Sequence, residues 1–256
     1  MNQFQFVKIV ENADVVSLVL NRPPVNVMNI AMMKEMSSAI AEIQHHPTAK
    51  VLLIKAEGKA FSAGVDVADH SAERIDEMMA EFHGLFEMMN SVKIPIIAVV
   101  DGAALGGGCE LAIFCDMIVV SERAKFAVPE IKVGVFPPVA AAIFPKLIGR
   151  QKTFELLMNG DAISGIEAER IGLINKVYPV DNFEKSVDEF ISKFTTQSKI
   201  ILELTKRSID EGLGKSAMEA MRRAEDIYMN DLMKTEDTKE GLKAFIEKRQ
   251  PVWKNK

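Results

Sequence analysis

The segment Asp101-Gly-Ala-Ala-Leu-Gly-Gly-Gly-Cys-Glu110-Leu111 follows directly on the apolar stretch Pro95–Val100. Its three successive glycines stand at the predicted start of a helix from Gly107 to Phe114. Small residues there let another group approach the backbone, and the exposed N–H groups can bind negative charge. The segment lacks the Lys-Ser or Lys-Thr pair of a phosphate loop and the Gly-x-Gly-x-x-Gly spacing of a dinucleotide site. Tight packing alone would also explain the glycines, so their meaning depends on the surrounding chain.

Strands and helices alternate on either side of this segment. Apolar runs predict strands, the first two forming a hairpin, at Phe4–Val10, Val15–Leu20, Val51–Ile54, Pro95–Val100 and Met117–Val120. Helical spacing of apolar residues predicts helices at Asn29–Gln44 and Ser71–Met89. This alternation indicates an α/β core. From Asn182 onward only helical periodicity remains, and it predicts helices at Asn182–Phe194, Ser198–Glu211, Ser216–Met233 and Thr235–Glu247.

The composition favours one large globular domain and argues against several classes of protein. Of 256 residues, 48% are hydrophobic, which is enough for a sizeable core, and the net charge of −5 argues against a broad basic surface for nucleic acid. The apolar runs are shorter than the ~20 residues of a membrane span. No basic segment followed by an apolar one opens the chain, and Cys109 and Cys115 are too few for a disulfide framework. We therefore expect a cytoplasmic protein without nucleic-acid or membrane partners.

Two glutamates are candidates for acid–base chemistry. Glu110 stands just inside the helix that the glycines open, and Glu130 follows 20 residues later, after Pro129. One helix and one strand in that interval would return the chain to the same site. Carboxyl groups in partly apolar surroundings can hold a proton near neutral pH and act as general acid or base. Either glutamate alone would be interpreted as a surface or helix-terminus charge.

A small-residue turn, Phe61–Asp66, offers backbone N–H groups that could form an oxyanion site together with Gly107. Taken alone, this turn would be interpreted only as a loop. The histidines form no convincing set of metal ligands, so surface positions or ordinary packing are favoured for His45, His46, His70 and His83. We expect no metal site.

The chain resembles the crotonase (enoyl-CoA hydratase/isomerase) superfamily over essentially its whole length. Each matching motif is weak alone, but the ordered set is highly specific. The motifs are Asn21-Arg22-Pro23 with Asn26; Gly58–Asp66; Gly102–Leu111 with Cys115-Asp116; Phe126 with Pro129-Glu130 and Gly134; Gly160 with Ile163-Ser164, Ala168 and Gly172-Leu173; and Glu247-Lys248-Arg249 with Pro251.

The resemblance implies an α/β fold, a crotonase-like spiral of ββα units with a helical C-terminal region. Residues 1–195 would form the core that binds and transforms a CoA thioester, and residues 196–256 a helical region for oligomerisation, usually into trimers or dimers of trimers. The resemblance implies no cofactor, because CoA is part of the substrate.

The resemblance also implies roles for individual residues. The oxyanion hole would be formed by the backbone N–H groups of Val65 and Gly107. Glu130 would be the main acid/base and Glu110 would hold the water, as in the hydratase branch of the family. Substrate contacts are expected at Val25, Ala63, Gly64, Asp66, Gly106, Phe136, Pro137, Pro138, Val139 and Lys248. Lys248 would reach a CoA phosphate, within its own subunit or on a neighbouring one.

Two departures from the family pattern bear on the substrate. Where the family commonly continues with a Gly-Ala-Gly-Gly-Thr-like stretch, this chain reads Val135-Phe136-Pro137-Pro138-Val139. Ala68 stands where a basic residue often contacts CoA. The Phe-Pro-Pro-Val segment resembles cyclohexa-1,5-diene-1-carbonyl-CoA hydratases, which predicts a rigid apolar wall suited to a cyclic acyl group. The alternative interpretation is that the proline pair only ends a strand.

The predicted function is a lyase that adds water reversibly across the α,β double bond of an enoyl-CoA. A double-bond isomerase is the alternative enzyme class, since it needs the same oxyanion hole but only one well-placed base. A non-enzymatic CoA- or RNA-binding scaffold is disfavoured, because both carboxylates are present and the net charge is acidic.

Overall fold

Two β-sheets organise the chain, which the computed structural model describes from residue 4 to residue 256. The first three residues of the predicted 1–195 core lie outside this range. Within it, the larger sheet has the strand order β1-β2-β3-β5-β7-β10 and the smaller one β4-β6-β8-β9. The strands are β1 (Val7–Asn12), β2 (Val15–Leu20), β3 (Val51–Ala56), β4 (Ala60–Ser62), β5 (Ile96–Val100), β6 (Ala103–Leu105), β7 (Met117–Ser121), β8 (Lys125–Ala127), β9 (Ile163–Ser164) and β10 (Lys176–Tyr178).

Helices fill the connections between strands and form the end of the chain. They are α1 (Ile30–Ile43), α2 (Ile75–Asn90), α3 (Gly107–Ile113), α4 (Pro138–Leu147), α5 (Gly149–Asn159), α6 (Gly165–Arg170), α7 (Phe183–Thr195), α8 (Lys199–Gly212), α9 (Ala217–Asn230) and α10 (Glu236–Glu247). Short 3₁₀ turns lie at Val67–His70, Pro129–Val133, Val180–Asn182 and Leu232–Lys234. Among residues 4–256, no helix combines the length and apolar character needed to cross a membrane.

Consecutive strands alternate between the two sheets, and this makes the chain a spiral. In each pair β3–β4, β5–β6 and β7–β8, the first strand joins the larger sheet and the second joins the smaller. The successive strands pair in parallel within each sheet. Helix α2 leads from the first pair to the second, and α3 leads from the second to the third. The predicted α/β spiral of ββα units is therefore confirmed.

The central strands are apolar throughout because both faces of the larger sheet are covered. In β3, Leu52 and Ile54 belong to the main core, whereas Val51 and Leu53 pack in a second cluster with residues of α7. Side chains alternate across a strand, so burial on both faces replaces the polar–apolar alternation with a continuous apolar run. This packing fixes β3, β5 and β7, and the segments of the site follow the next strand of each pair, β4, β6 and β8.

The last three helices have few buried residues of their own. Leu204 in α8 and Ile227 in α9 are buried, but Met218, Met221, Leu242 and Phe245 are exposed. Polar contacts tie this region to the rest of the chain: Lys206 Nζ lies 2.6 Å from Asp116 Oδ2, and Lys199 Nζ donates to the His46 carbonyl at 3.0 Å. The helical C-terminal region predicted from the sequence is confirmed as a structural feature.

Candidate active site

A pocket of about 730 Å³ opens where four segments of the spiral meet. They are the loop and turn after β4, one face of α2, the start of α3, and the chain from the 3₁₀ turn Pro129–Val133 to α4. Most of the predicted site residues line it: Ala63, Gly64, Val65, Gly106, Gly107, Glu110, Glu130, Phe136, Pro137 and Pro138. Apolar side chains of α2 complete the wall with Ile75, Met78, Met79 and Phe82.

Four other predicted substrate-binding residues lie outside this lining. The Val25 carbonyl accepts a hydrogen bond from Ala63 N at 2.8 Å, and Asp66 Oδ1 accepts one from Ala68 N at 3.1 Å, so both support the loop that faces the pocket. Val139 is 9% exposed and donates its N–H to Glu110. Lys248 ends α10 with a left-handed backbone, φ 56°. The substrate contacts of these four residues stay predictions.

The backbone around Val65 has the geometry that an oxyanion donor needs. Met28 pairs with Val65 in an isolated parallel bridge, in which Met28 N donates to the Gly64 carbonyl at 2.8 Å and Asp66 N donates to the Met28 carbonyl at 2.9 Å. Since successive N–H groups of an extended chain point to opposite sides, the N–H of Val65 points away from Met28. Val65 itself lines the pocket.

The glycines of the β6–α3 junction bring a second backbone donor beside Val65. Gly107 is the first residue of α3, so its N–H has no acceptor within the helix. A Cβ at Gly107 would stand 2.7 Å from Val65 Cγ2, which shows how closely the two segments pack. The absence of a side chain at Gly107 therefore allows the two predicted oxyanion donors to lie side by side.

Glu110 is held by the start of a helix. Its side chain is 2% exposed, and Oε1 accepts hydrogen bonds from Val139 N at 2.8 Å and Ala140 N at 2.9 Å. These N–H groups belong to the first turn of α4, where helical donors have no backbone partner and negative charge is favoured. Pro138 is the first residue of this helix, a position that suits proline. The proline pair therefore begins a helix and does not end a strand.

Burial governs the protonation of Glu110. Removal from water, with a smaller contribution from the nearby Glu130 carboxylate, raises the pKa of the Glu110 carboxyl to about 7. The hydrogen bonds from Ala140 and Val139 oppose this increase, because they stabilise the charged form. Glu110 is thus poised to exchange a proton near neutral pH.

Glu130 approaches the pocket over the backbone of Gly106. A Cβ at Gly106 would stand 2.8 Å from Glu130 Oε1, and Gly106 has φ 52° and ψ −130°, a conformation that disfavours other residues. Glu130 Oε2 is buried, and no group of residues 4–256 is hydrogen-bonded to it. Burial raises the pKa of the Glu130 carboxyl. This oxygen is therefore a buried acceptor whose hydrogen-bonding capacity is unused among the described residues.

Two titratable residues of the pocket were not identified from the sequence. His70 lines the pocket and its Nδ1 lies 3.1 Å from the Asp66 carbonyl, so placing it on the surface or in ordinary packing is incomplete. Lys132 also lines the pocket, with its Nζ 2.9 Å from Asp161 Oδ1. The only available signal was position: His70 follows Val65 closely, and Lys132 follows Glu130.

The fold and the site bring the backbone of Val65 and Gly107 together with one buried and one partly buried carboxyl group, an arrangement typical of enzymes that act on carbonyl compounds by acid–base chemistry. A family model for enoyl-CoA hydratase/isomerase matches residues 10–256. The chain therefore belongs to the enoyl-CoA hydratase/isomerase family.

Individual relatives are similar over nearly the whole chain. A probable mitochondrial enoyl-CoA hydratase of Dictyostelium discoideum is 33% identical over 244 residues, 93% of this chain and 86% of that protein. A cyclohexa-1,5-dienecarbonyl-CoA hydratase of Thauera aromatica is 34% identical over 239 residues, 93% of this chain and 92% of the relative. The crystal structure of an enoyl-CoA hydratase from Bacillus anthracis matches with a TM-score of 0.93 at 29% identity, covering 98% of this chain and 100% of that one. The predicted enzyme class, a lyase of the enoyl-CoA hydratase type, is confirmed by these relatives.

Proposed function

We propose that this enzyme adds water reversibly across the α,β double bond of an enoyl-CoA thioester. The observation that carries the proposal is that the carboxyl groups of Glu110 and Glu130 share one largely apolar pocket with Val65 and Gly107. Hydration needs this combination, because charge develops on the thioester oxygen while a proton moves between water and carbon.

The proposed mechanism assigns one task to each group. The thioester carbonyl accepts hydrogen bonds from the N–H groups of Val65 and Gly107, which stabilise the enolate charge. Glu110 holds the water with the oxygen that the α4 donors leave available. Glu130 takes the proton that water loses as its oxygen bonds to the β-carbon, and passes this proton to the α-carbon. The site returns to its starting state, and the proposed chemistry uses only protein groups and the CoA substrate.

Solvent isotope incorporation tests hydration against isomerisation. In heavy-oxygen water, we expect the product of an enoyl-CoA to carry one solvent oxygen. An isomerase would move the double bond without incorporating the label. An unlabelled isomerised product would contradict the proposal and favour the alternative enzyme class.

Replacing Glu130 tests its assigned role. Glu130→Gln keeps the size of the side chain but cannot accept the proton, so we expect thioester binding to persist while turnover falls by ~10²–10⁴-fold. The exposed Glu122→Gln serves as the matched control, with wild-type turnover expected. A Glu130→Gln enzyme with near wild-type rates would exclude Glu130 as the acid/base.

We further propose a cyclic dienoyl-CoA, such as cyclohexa-1,5-diene-1-carbonyl-CoA, as the preferred substrate. Val135, Phe136 and the proline pair form a preformed apolar wall of the pocket. Ordering a flexible acyl chain against such a wall costs ~0.5–1.5 kcal/mol per immobilised group, a cost largely absent for a ring. The similarity to the Thauera aromatica hydratase supports the same substrate class.

A substrate panel tests this specificity. We expect higher kcat/KM for the cyclic dienoyl-CoA than for crotonyl-CoA, with cyclohex-1-ene-carbonyl-CoA as a third substrate. Replacing Pro137-Pro138 with Gly-Ala should narrow that ratio. The ratio is the right measure, because a displaced Glu110 would slow all substrates alike. A wild-type preference for crotonyl-CoA over every cyclic thioester would remove the cyclic assignment and leave the hydratase standing.

A further inference from the structure

The loop that carries Val65 also brings a histidine to the pocket. His70 is the last residue of the 3₁₀ turn Val67–His70, which the Asp66 side chain caps by accepting from Ala68 N. The turn is anchored by Asp69, whose buried carboxylate accepts from Ile30 N at 2.9 Å and lies 3.0 Å from Arg74 Nη1. The position of the His70 backbone is therefore set by contacts with α1 and with the residues before α2.

The imidazole has a defined orientation as well. Its Nδ1 lies 3.1 Å from the Asp66 carbonyl oxygen, which can only accept, so Nδ1 carries the proton of this hydrogen bond. Nε2 therefore remains as the acceptor nitrogen of the ring, and the anchor at Nδ1 does not depend on it.

The charges that face Glu130 differ in sign from one element to another. Glu110 on α3 is negative when ionised, and the residues of α2 that line the pocket are apolar. Lys132, in the same turn as Glu130, is paired with Asp161 at 2.9 Å. Cys109 on α3 is buried, and burial raises the pKa of its thiol, so it carries no charge. Among the residues that the structure describes in this lining, His70 is the one remaining group that can become positive.

We propose that His70 is a positioning residue for the reaction: its imidazolium offsets the burial of the Glu130 carboxylate and keeps Glu130 in the ionised form that takes a proton from water. The proposal deepens the hydratase function and rests on it. Burial raises the pKa of the Glu130 carboxyl, and the charge of His70 acts in the opposite direction and lowers it. His70 acts through Glu130 and is given no contact with the reacting atoms.

A set of variants that differ in charge at position 70 tests the electrostatic effect of His70 on Glu130 without a measurement of turnover. The variants are His70→Gln, neutral at every pH, and His70→Lys, positive throughout the relevant range. The control is His83→Gln, which changes an exposed histidine of α2 outside the pocket lining. The probe is the ¹³C NMR signal of the Glu130 carboxyl in protein made with ¹³Cδ-glutamate, assigned by its loss in Glu130→Gln.

We expect the Glu130 titration midpoint to rise by roughly 0.2–0.7 pH unit in His70→Gln, the range for a solvent-screened charge pair. It should stay at or below the wild-type value in His70→Lys and be unchanged in His83→Gln. The difference should shrink at high salt, because screening weakens the interaction of exposed charges. Equal midpoints in wild type and His70→Gln would overturn the proposal.

The pH dependence of the hydration rate connects the effect of His70 on Glu130 to catalysis. Protonation of Glu130 removes the base, so the acid limb of kcat/KM for hydration should move to higher pH in His70→Gln, with rates on that limb roughly two- to fivefold lower. If His70→Gln hydrates enoyl-CoA and its acid limb does not move, the role of His70 is refuted and the hydratase function stands. A shifted NMR midpoint in an enzyme that hydrates no enoyl-CoA would instead refute the proposed function.

Discussion

Two glutamates of one pocket are held in different ways, and this difference divides their tasks. Glu110 Oε1 receives two backbone hydrogen bonds, so its carboxyl is fixed. Glu130 Oε2 receives none from the described residues and is buried. A fixed carboxyl suits the positioning of water, whereas an unpartnered one suits proton transfer, because no hydrogen bond must break first. Environment, not residue type, separates the roles.

The burial of Glu110 should be visible in the stability of the protein. Its pKa is raised from 4.5 to about 7 in the folded state, so the native carboxyl binds a proton more tightly than the unfolded one. Stability from this group is therefore highest below about pH 4.5 and is lost as the pH rises toward 7. Glu110→Gln removes this titration. Between pH 5 and pH 8, wild type should lose roughly 2 kcal/mol relative to the variant, measured by urea unfolding at fixed protein concentration.

Glu122→Gln is again the control for this measurement, because it removes an exposed carboxyl. It should follow wild type at both pH values, while Glu110→Gln loses turnover. If Glu110→Gln and wild type lost stability in parallel between pH 5 and pH 8, the carboxyl would not be held protonated by its burial.

At the scale of elements, the junction of β6 and α3 is the least tolerant part of the site. Gly106→Ala would place a Cβ 2.8 Å from Glu130 Oε1 in addition to straining a backbone at φ 52°. We expect kcat/KM to fall by at least ~10²-fold, since a displacement of about 1 Å at a reacting group has that effect. Gly214→Ala is the matched control: it has φ 77° and nothing within 4 Å of the added Cβ, so only the backbone cost applies. Equal activity in both variants would contradict the packing of Glu130 on Gly106.

The sequence predicts elements well where one residue pattern is sustained. Helix α1 lies within the predicted Asn29–Gln44, with Asn29 as its cap, and α10 begins one residue inside the predicted Thr235–Glu247. The predicted helix Ser216–Met233 instead ends at Asn230, and a separate 3₁₀ turn follows. Long amphipathic patterns determine such helices locally, so periodicity is sufficient to find them.

The short elements escaped prediction because distant contacts create them. Strands β4 and β6 are three-residue runs of mostly small side chains that become strands through parallel pairing, β4 with β6 and β6 also with β8. Helix α4 contains Pro138 at its start and Pro145 within it, residues that locally argue against a helix. His70 reaches the pocket through the contacts of Asp66 and Asp69, which no sequence pattern announces. The glutamates were found because motif spacing and family resemblance coincided there.

At the scale of the whole molecule, the C-terminal helices expose several large apolar side chains. Met218, Met221, Leu242 and Phe245 are all more than half exposed, and Phe245 reaches 84%. Exposed apolar patches of this kind mark interaction surfaces. We therefore retain the trimer-based assembly as a prediction, with residues 196–256 contributing to it.

Light scattering checks this prediction at micromolar concentration. The expected mass is three or six times the 28.3 kDa of one chain. Phe245→Asp would place a charge on the exposed patch and should lower the mass, whereas Val10→Asp, at an exposed position of β1, should not. A stable wild-type monomer would refute the assembly.

The hydrogen bonds to Glu110 also bear on how this pocket can change in evolution. Its two donors, Val139 and Ala140, are backbone groups, so these hydrogen bonds place no demand on the side chains of Val135 and Phe136 that line the pocket. The wall that meets the acyl group can therefore accumulate mutations while the contact that orients the carboxyl is inherited intact. Diversification toward new acyl groups is thereby uncoupled from loss of the water-holding carboxyl, which makes the start of α4 a favourable place for a family to explore new specificities.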